Sequence, residues 1–197
     1  MSYDIDLINK NTKKTLQMKN PAYVRGGTMP AEFNINGDLV QALQTEASVN
    51  ITYNYASYYY EAAEGDPRFL IFQDGKMENG GIRGVYGKTA RESYAMLQDL
   101  YMRIHDKYYD KETGQWLISK RTRYVCLDQN GNAYKDPIYP ILNHLPYSTM
   151  EETYTVSEGY TENYWEKTAA NALNPLVHMM HMATDYIFDD EAVWSGD

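Results

Sequence analysis

Gly80-Gly81-Ile82-Arg83-Gly84-Val85-Tyr86-Gly87-Lys88-Thr89 runs straight into Ala90-Arg91-Glu92, and the fold is read outward from that junction. Thr89 followed three residues later by Glu92 is a capping-box signature. Tyr94, Leu97, Tyr101, Ile104 and Tyr108 then recur at spacings of three and four, which predicts a helix to about Tyr109. The glycines before it miss the nucleotide-binding P-loop, because Ile82 stands where that motif needs its first glycine. Two readings remain. Free N–H groups at the helix start, with Arg83 and Lys88, would grip a phosphate or carboxylate. Alternatively the glycines make a tight turn and the charges are solvated.

Towards the N-terminus, Val49, Ile51, Tyr53 and Tyr55 alternate with Asn50, Thr52 and Asn54. That period of two predicts a central strand with a polar face. Tyr3 to Leu7 and Lys14 to Met18 read as short strands around the turn Asn9-Lys10-Asn11-Thr12. The segment from Pro21 ends in the glycine turn Arg25-Gly26-Gly27-Thr28. From Met29 to Ala47 the pattern is weak, and Leu39, Val40 and Leu43 suggest a short helix or loop.

Towards the C-terminus, Trp116 to Leu127 and Ala133 to Ile138 read as a hairpin around Asp128-Gln129-Asn130-Gly131-Asn132. Pro137, Pro140 and Pro146 predict an irregular stretch to about Gly159. Thr168 reads as the cap of a C-terminal helix, which Asn174-Pro175 would kink or restart. Trp194, near the end, is expected to tuck against the body. Together these predict an α+β fold: an antiparallel sheet packed against one long helix (about 90–109) and a C-terminal helix, with an inserted β-hairpin. One α+β domain over 1–197 is expected, with insertions at about 29–47 and 110–159.

The 197 residues carry a net charge of −9, which argues against an extended nucleic-acid surface and leaves room for a basic-protein partner. Cys126 is the single cysteine, so no disulfide forms within the chain. The first seven residues lack the basic and apolar regions of a secretion signal, and no apolar run reaches membrane-spanning length. A cytoplasmic protein is expected. Tyrosine is over-used, 20 against 4 Phe and 3 Trp, which suits a binding groove, a protein interface or a homodimer.

Several short pieces, in this order, resemble an uncharacterised family of small proteins from bacteria and their phages. They are Tyr3-Asp4-Ile5, Arg25-Gly26-Gly27-Thr28, Asn50-Ile51-Thr52-Tyr53-Asn54-Tyr55, Gly81-Ile82-Arg83 and Tyr86-Gly87-Lys88-Thr89, then Tyr164-Trp165-Glu166-Lys167-Thr168, Asn171-Ala172 and Trp194-Ser195-Gly196-Asp197. They cover under half of the chain. The resemblance implies a phage or prophage setting, hence the host cytoplasm, rather than a reaction.

The leading expectation is a non-enzymatic protein that binds a polar or anionic small ligand, or a host factor. The residues expected to bind are Arg25, Gly26, Gly27, Thr28, Asn50, Thr52, Asn54, Tyr55, Arg83, Tyr86, Lys88, Thr89 and Trp165. No cofactor, metal or catalytic residue is assigned, and no membrane partner. One alternative is an enzyme acting on a nucleotide or phosphorylated metabolite. Another is an acidic, tyrosine-rich inhibitor of a protein partner. His178, His181 and Asp185 share a helix face that zinc would accept, although a core stripe with bordering histidines accounts for them as well. Lys120, Arg121 and Arg123 read as a solvated hairpin face.

Overall fold

The computed structural model describes residues 2–24, 32–33, 39–40 and 42–196. Their elements, in chain order, are β1 (Ser2–Asn9), β2 (Gln17–Val24), β3 (Glu32–Phe33), β4 (Leu39–Val40), β5 (Ala42–Glu46), β6 (Ser48–Thr52) and α1 (Ala56–Ala63). There follow β7 (Leu70–Gln73), β8 (Lys76–Asn79), α2 (Ala90–Tyr108), β9 (Tyr109–Asp110), β10 (Gln115–Trp116) and β11 (Ile118–Leu127). Last come α3 (Tyr139–Leu142), β12 (Ser148–Ser157), α4 (Ala169–Asp185) and β13 (Ala192–Gly196). The fold is α+β with antiparallel strand pairs. The chain divides into two compact units, Met1–Trp116 with Gly159–Asp197, and Leu117–Glu158.

The first unit is organised by β1, which pairs antiparallel with β13 on one side and β6 on the other. Its alternation puts Tyr3, Ile5 and Leu7 into the core, level with Ile51 and Val49 of β6 and Trp194 of β13. Burying such side chains stabilises by roughly 1.5–3 kcal/mol each. Helices α2 and α4 pack on one another and close this core with Leu97, Leu100, Ile104, Leu176 and Met179. Strand β1 ends where Asn9 Oδ1 accepts the backbone N–H groups of Asn11 (3.0 Å) and Thr12 (2.9 Å). Strand β2 then pairs with β5, with an irregular register between Gln17 and Ala22. Pro21, which has no N–H to give a ladder, sits in that gap.

Helix α2 begins as its capping box requires, Thr89 Oγ1 accepting from Glu92 N and Glu92 Oε2 from Thr89 N. It ends at Tyr108. The glycine stretch before it is a 3-10 turn (Gly81–Val85) laid on Phe69, and a Cβ on Gly84 would lie 2.6 Å from the Phe69 Cα. Gly81 has φ +55°, the left-handed region that favours glycine.

Five expectations need correction. Strand β6 is an edge of its sheet, not the centre; it stops at Thr52 because Thr52 Oγ1 takes the N–H of Asn54 and starts a 3-10 turn at Tyr53–Tyr55. Residues 42–46 form a strand against β2 rather than a helix or loop, although Leu39–Val40 make only a two-residue pairing. Strand β11 pairs along its whole length with β12, not with 133–138. Asp128 Oδ1 takes the N–H groups of Asn130 and Asn132, both at 2.8 Å, so the chain turns, but only one bridge (Leu127 with Ala133) forms before Pro137 and Pro140 lead into α3. The stretch up to Gly159 is therefore not irregular throughout; Thr149, Thr153, Thr155 and Val156 supply a β-branched strand beyond the prolines. Helix α4 runs through Pro175, whose ring is buried in the core. The expected tail is strand β13, and Trp194 is buried, donating Nε1–H to Ser93 Oγ at 2.6 Å.

Candidate functional site

Where β6 breaks into its 3-10 turn, Asn50 and Thr52 of the strand and Tyr53 and Asn54 of the turn line, with Ser2 and Trp165, a hollow of about 610 Å³. Trp165 arrives from the far side of the sequence, on the segment just before α4. Asn54 Nδ2 donates to the Trp165 carbonyl at 2.6 Å, and the Tyr55 hydroxyl donates to the Tyr164 carbonyl. Behind them Asn171, fully buried on α4, ties the segment together. Its Nδ2 donates to Thr161 Oγ1 (2.8 Å), Glu166 O (3.1 Å) and Asn163 O (3.2 Å), while its Oδ1 accepts from Thr161 N (3.2 Å). Trp165 is thus held by its backbone while its side chain stays 60% exposed. Exposed indoles held this way are good stacking surfaces.

Tyr53 forms the facing aromatic wall, stacked on Tyr3 with ring centroids 4.3 Å apart. Asn50 Nδ2 donates to Asp4 Oδ1 (2.5 Å) and Ser2 Oγ (2.9 Å). Asn50 spends its NH₂ on protein acceptors and Asn54 gives one N–H to Trp165, so each amide keeps its carbonyl oxygen and Asn54 a second N–H. The lining therefore offers two amide acceptors, one amide N–H, the Ser2 and Thr52 hydroxyls and two aromatic faces. No histidine, cysteine or carboxylate is among the lining residues.

Arg83 stands beside this wall. Its Nη2 donates to the Tyr60 hydroxyl at 3.1 Å, while its Nε is buried without a hydrogen-bond partner. Burial works against its charge, but the Tyr60, Tyr3 and Tyr53 hydroxyls outweigh burial and hold its pKa above the usual guanidinium value. Burial first, and then the Tyr60 hydroxyl, push the Tyr3 phenol well above its usual range, so Tyr3 is a neutral donor. Among the described residues Arg83 makes no ion pair with a carboxylate.

The other expected residues lie elsewhere. At the helix entrance Thr89 Oγ1 takes the Glu92 N–H and the Glu92 carboxylate takes the Thr89 N–H, so an arriving anion meets the Glu92 carboxylate. That carboxyl is held below its usual range by the Thr89 backbone and hydroxyl, with help from the Lys88 charge. The Lys88 carbonyl accepts from Trp194 N at 3.0 Å, tying this loop to β13. Tyr86 packs on Gly196, where a Cβ would meet the tyrosine oxygen at 2.4 Å. Gly26, Gly27, Arg25 and Thr28 lie outside the described residues. Asp185 accepts from Lys19 N (2.8 Å), Asn20 N (2.9 Å) and Asn20 Nδ2 (2.7 Å), and His181 Nε2 lies 2.7 Å from Asn20 O. These two residues staple β2 to α4, and among the described residues no three metal-ligating side chains are grouped to hold a metal.

The structure thus gathers Asn50, Thr52, Asn54 and Trp165 around one hollow, with Tyr55 as a strut and Arg83 behind its wall. Ser2, Tyr3, Tyr53, Tyr60 and Asn171 were not among the residues expected to bind, although Tyr3, Tyr53 and Asn171 fall within the resembling segments; Asn171 also stands three residues after the capping Thr168. Compared with protein-family models, curated proteins and solved structures, the chain matches none.

Proposed function

We propose that the chain is a binding protein that holds a small polar molecule with a flat ring, the size of a nucleobase, between Trp165 and Tyr53. The observation that carries this reading is the anchoring of the Trp165 backbone by Asn54 while its indole stays exposed over the Asn50–Thr52–Asn54 edge. Stacking on such aromatic faces is worth about 1–3 kcal/mol per base. The amide oxygens and hydroxyls then select a ring that carries N–H or O–H donors. Asp4 places negative charge at Asn50, whereas the Arg83 charge is felt at Tyr53. A ligand that also carries a phosphate would direct it to the Tyr53 side. The lining has no histidine, cysteine or carboxylate to activate the Ser2 or Thr52 hydroxyl, which favours retention over turnover. The phage or prophage setting, in a host cytoplasm, rests on the short resembling segments alone.

Titration calorimetry with a panel of nucleosides and nucleotides tests this. At least one member should bind, be recovered unchanged after denaturing the protein, and bind about tenfold or more weakly to Trp165→Ala. Equal affinity in Trp165→Ala and in Asn54→Ala, or no heat with any member, refutes the reading.

A further inference from the structure

Strand β12 pairs with β11 in an unbroken ten-residue register and with no other strand among the described residues. A long regular edge is a template for another chain, and proteins usually guard it with lysine, proline or a bulge. Strand β11 carries such a guard in Lys120, Arg121 and Arg123. Strand β12 (STMEETYTVS) has no lysine, proline or glycine, and is rich in β-branched residues. Met150, Glu151, Thr153 and Tyr154 along it are exposed. Glu152 is paired to Arg123 at 2.7 Å, whereas Glu151 makes no ion pair among the described residues. Apolar burial within this unit is slight: of its apolar side chains only Cys126 and Pro140 are buried. Tyr124, Leu142, Tyr139 and Ile141 are all at least half exposed. A two-stranded ribbon is marginal in water, and an exposed apolar surface of this kind marks an interaction site.

We propose that the β12 edge takes up, as an added strand, an extended segment of a partner protein in which Lys or Arg alternates with β-forming residues. The backbone ladder supplies affinity that is independent of side chains. Glu151, which makes no ion pair among the described residues, sets the sign of the preferred partner, and the chain's net charge of −9 steers a basic segment towards it. A second copy fits less well. Antiparallel β12 on β12 crowds the glutamates of both copies at the centre, and β11 on β12 is a head-to-tail contact that does not close.

The test uses the full chain and a fluorescein-labelled peptide of alternating Lys and Val, read by anisotropy. Two companions are needed: one N-methylated at alternate amides, which keeps the charge and loses ladder donors, and one with Glu for Lys. Strand addition requires that the Lys/Val peptide bind, that N-methylation weaken it about tenfold or more, and that the Glu peptide not bind. Replacing Glu151→Gln and Glu152→Gln together should weaken the Lys/Val peptide by up to about fivefold, since alternating lysines share one face and meet only one of the two glutamates, and a cross-strand charge pair is worth roughly 0.2–1 kcal/mol. These substitutions leave the backbone free to form the ribbon. Equal binding of the N-methylated peptide overturns the proposal, as does indifference to the glutamines. Sedimentation showing copies joined through β12, with the peptide excluded, overturns it too.

Discussion

His178 makes the stability of the first unit fall as pH drops below neutrality. The imidazole lies on α4 beside the buried Met179 and Met182, and its Nε2 is buried without a hydrogen-bond partner. Burial first, and the neighbouring His181 second, hold its pKa down from the usual 6.5 to about 4. The unfolded chain therefore takes up a proton before the folded chain does. Stability is full above about pH 6.5 and falls through the window between 6.5 and about 4. At about 1.4 kcal/mol per pH unit, the loss reaches about 2 kcal/mol at pH 5 and about 3 kcal/mol at pH 4. That is a large fraction of a typical folding free energy of about 5–15 kcal/mol.

Urea unfolding at a series of pH values, with His178→Leu alongside the native chain, isolates this contribution. The native chain should lose about 2 kcal/mol between pH 7 and pH 5, while His178→Leu stays nearly flat over the same interval. Asp185 does not mimic the effect. Its hydrogen bonds to Asn20 and Lys19 outweigh burial and hold its carboxyl below 3.8, so its contribution disappears only at more acid pH. If His178→Leu keeps the native slope, the reasoning about the buried imidazole is wrong. Nuclear magnetic resonance titration of the His178 ring gives an independent check, and a folded-state value near that of free histidine would refute it as well.

Asn171→Ala should destabilise by about 2–3 kcal/mol, because it strands acceptors in the segment from Thr161 to Glu166, and it should expose that segment to protease. The same variant should weaken any ring ligand of the hollow, a readout that separates positioning of Trp165 from general loss of fold. Gly84→Ala should cost about 1–3 kcal/mol in urea unfolding through the clash with Phe69, and a neutral result would mean that the 3-10 turn is not held against it. Thr89→Ala should remove about 1 kcal/mol by opening the cap of α2, with Thr89→Ser restoring most of it.

Helix α2 was legible because its signals are local. A capping box and a three–four apolar spacing lie within one stretch, and the start at Ala90 follows from Thr89 alone. The cap of α4 at Thr168 was legible for the same reason. Strand pairing was not, because it depends on residues far apart. Whether Val49 and Ile51 sit at a sheet centre depends on what lies beyond them, and β1 takes that place by pairing with β13 from the other end of the chain. The partner of β11 was misread because a turn at Asp128 signals only that the chain reverses. It does not say which later segment completes the ladder.

The hollow shows the same division at the level of chemistry. Asn50, Thr52 and Asn54 could be marked in sequence, since asparagine is a poor strand former on an otherwise β-forming run. Their relation to Trp165 could not, because it rests on hydrogen bonds from Asn54 and Tyr55 that span 111 and 109 residues and on Asn171, whose four bonds run to a segment without periodicity. The glycine stretch left two readings open, an anion cradle and a tight turn; Gly84 lies against Phe69, as a tight turn requires, and the Glu92 carboxylate sits at the helix entrance. Glycine before a helix reports a close approach of some kind, and only the third dimension tells a ligand from the protein's own side chain. The hollow lies instead where a strand stops early: once β6 leaves its ladder after Thr52, Tyr53 and Asn54 line it together with Trp165, whose carbonyl Asn54 holds.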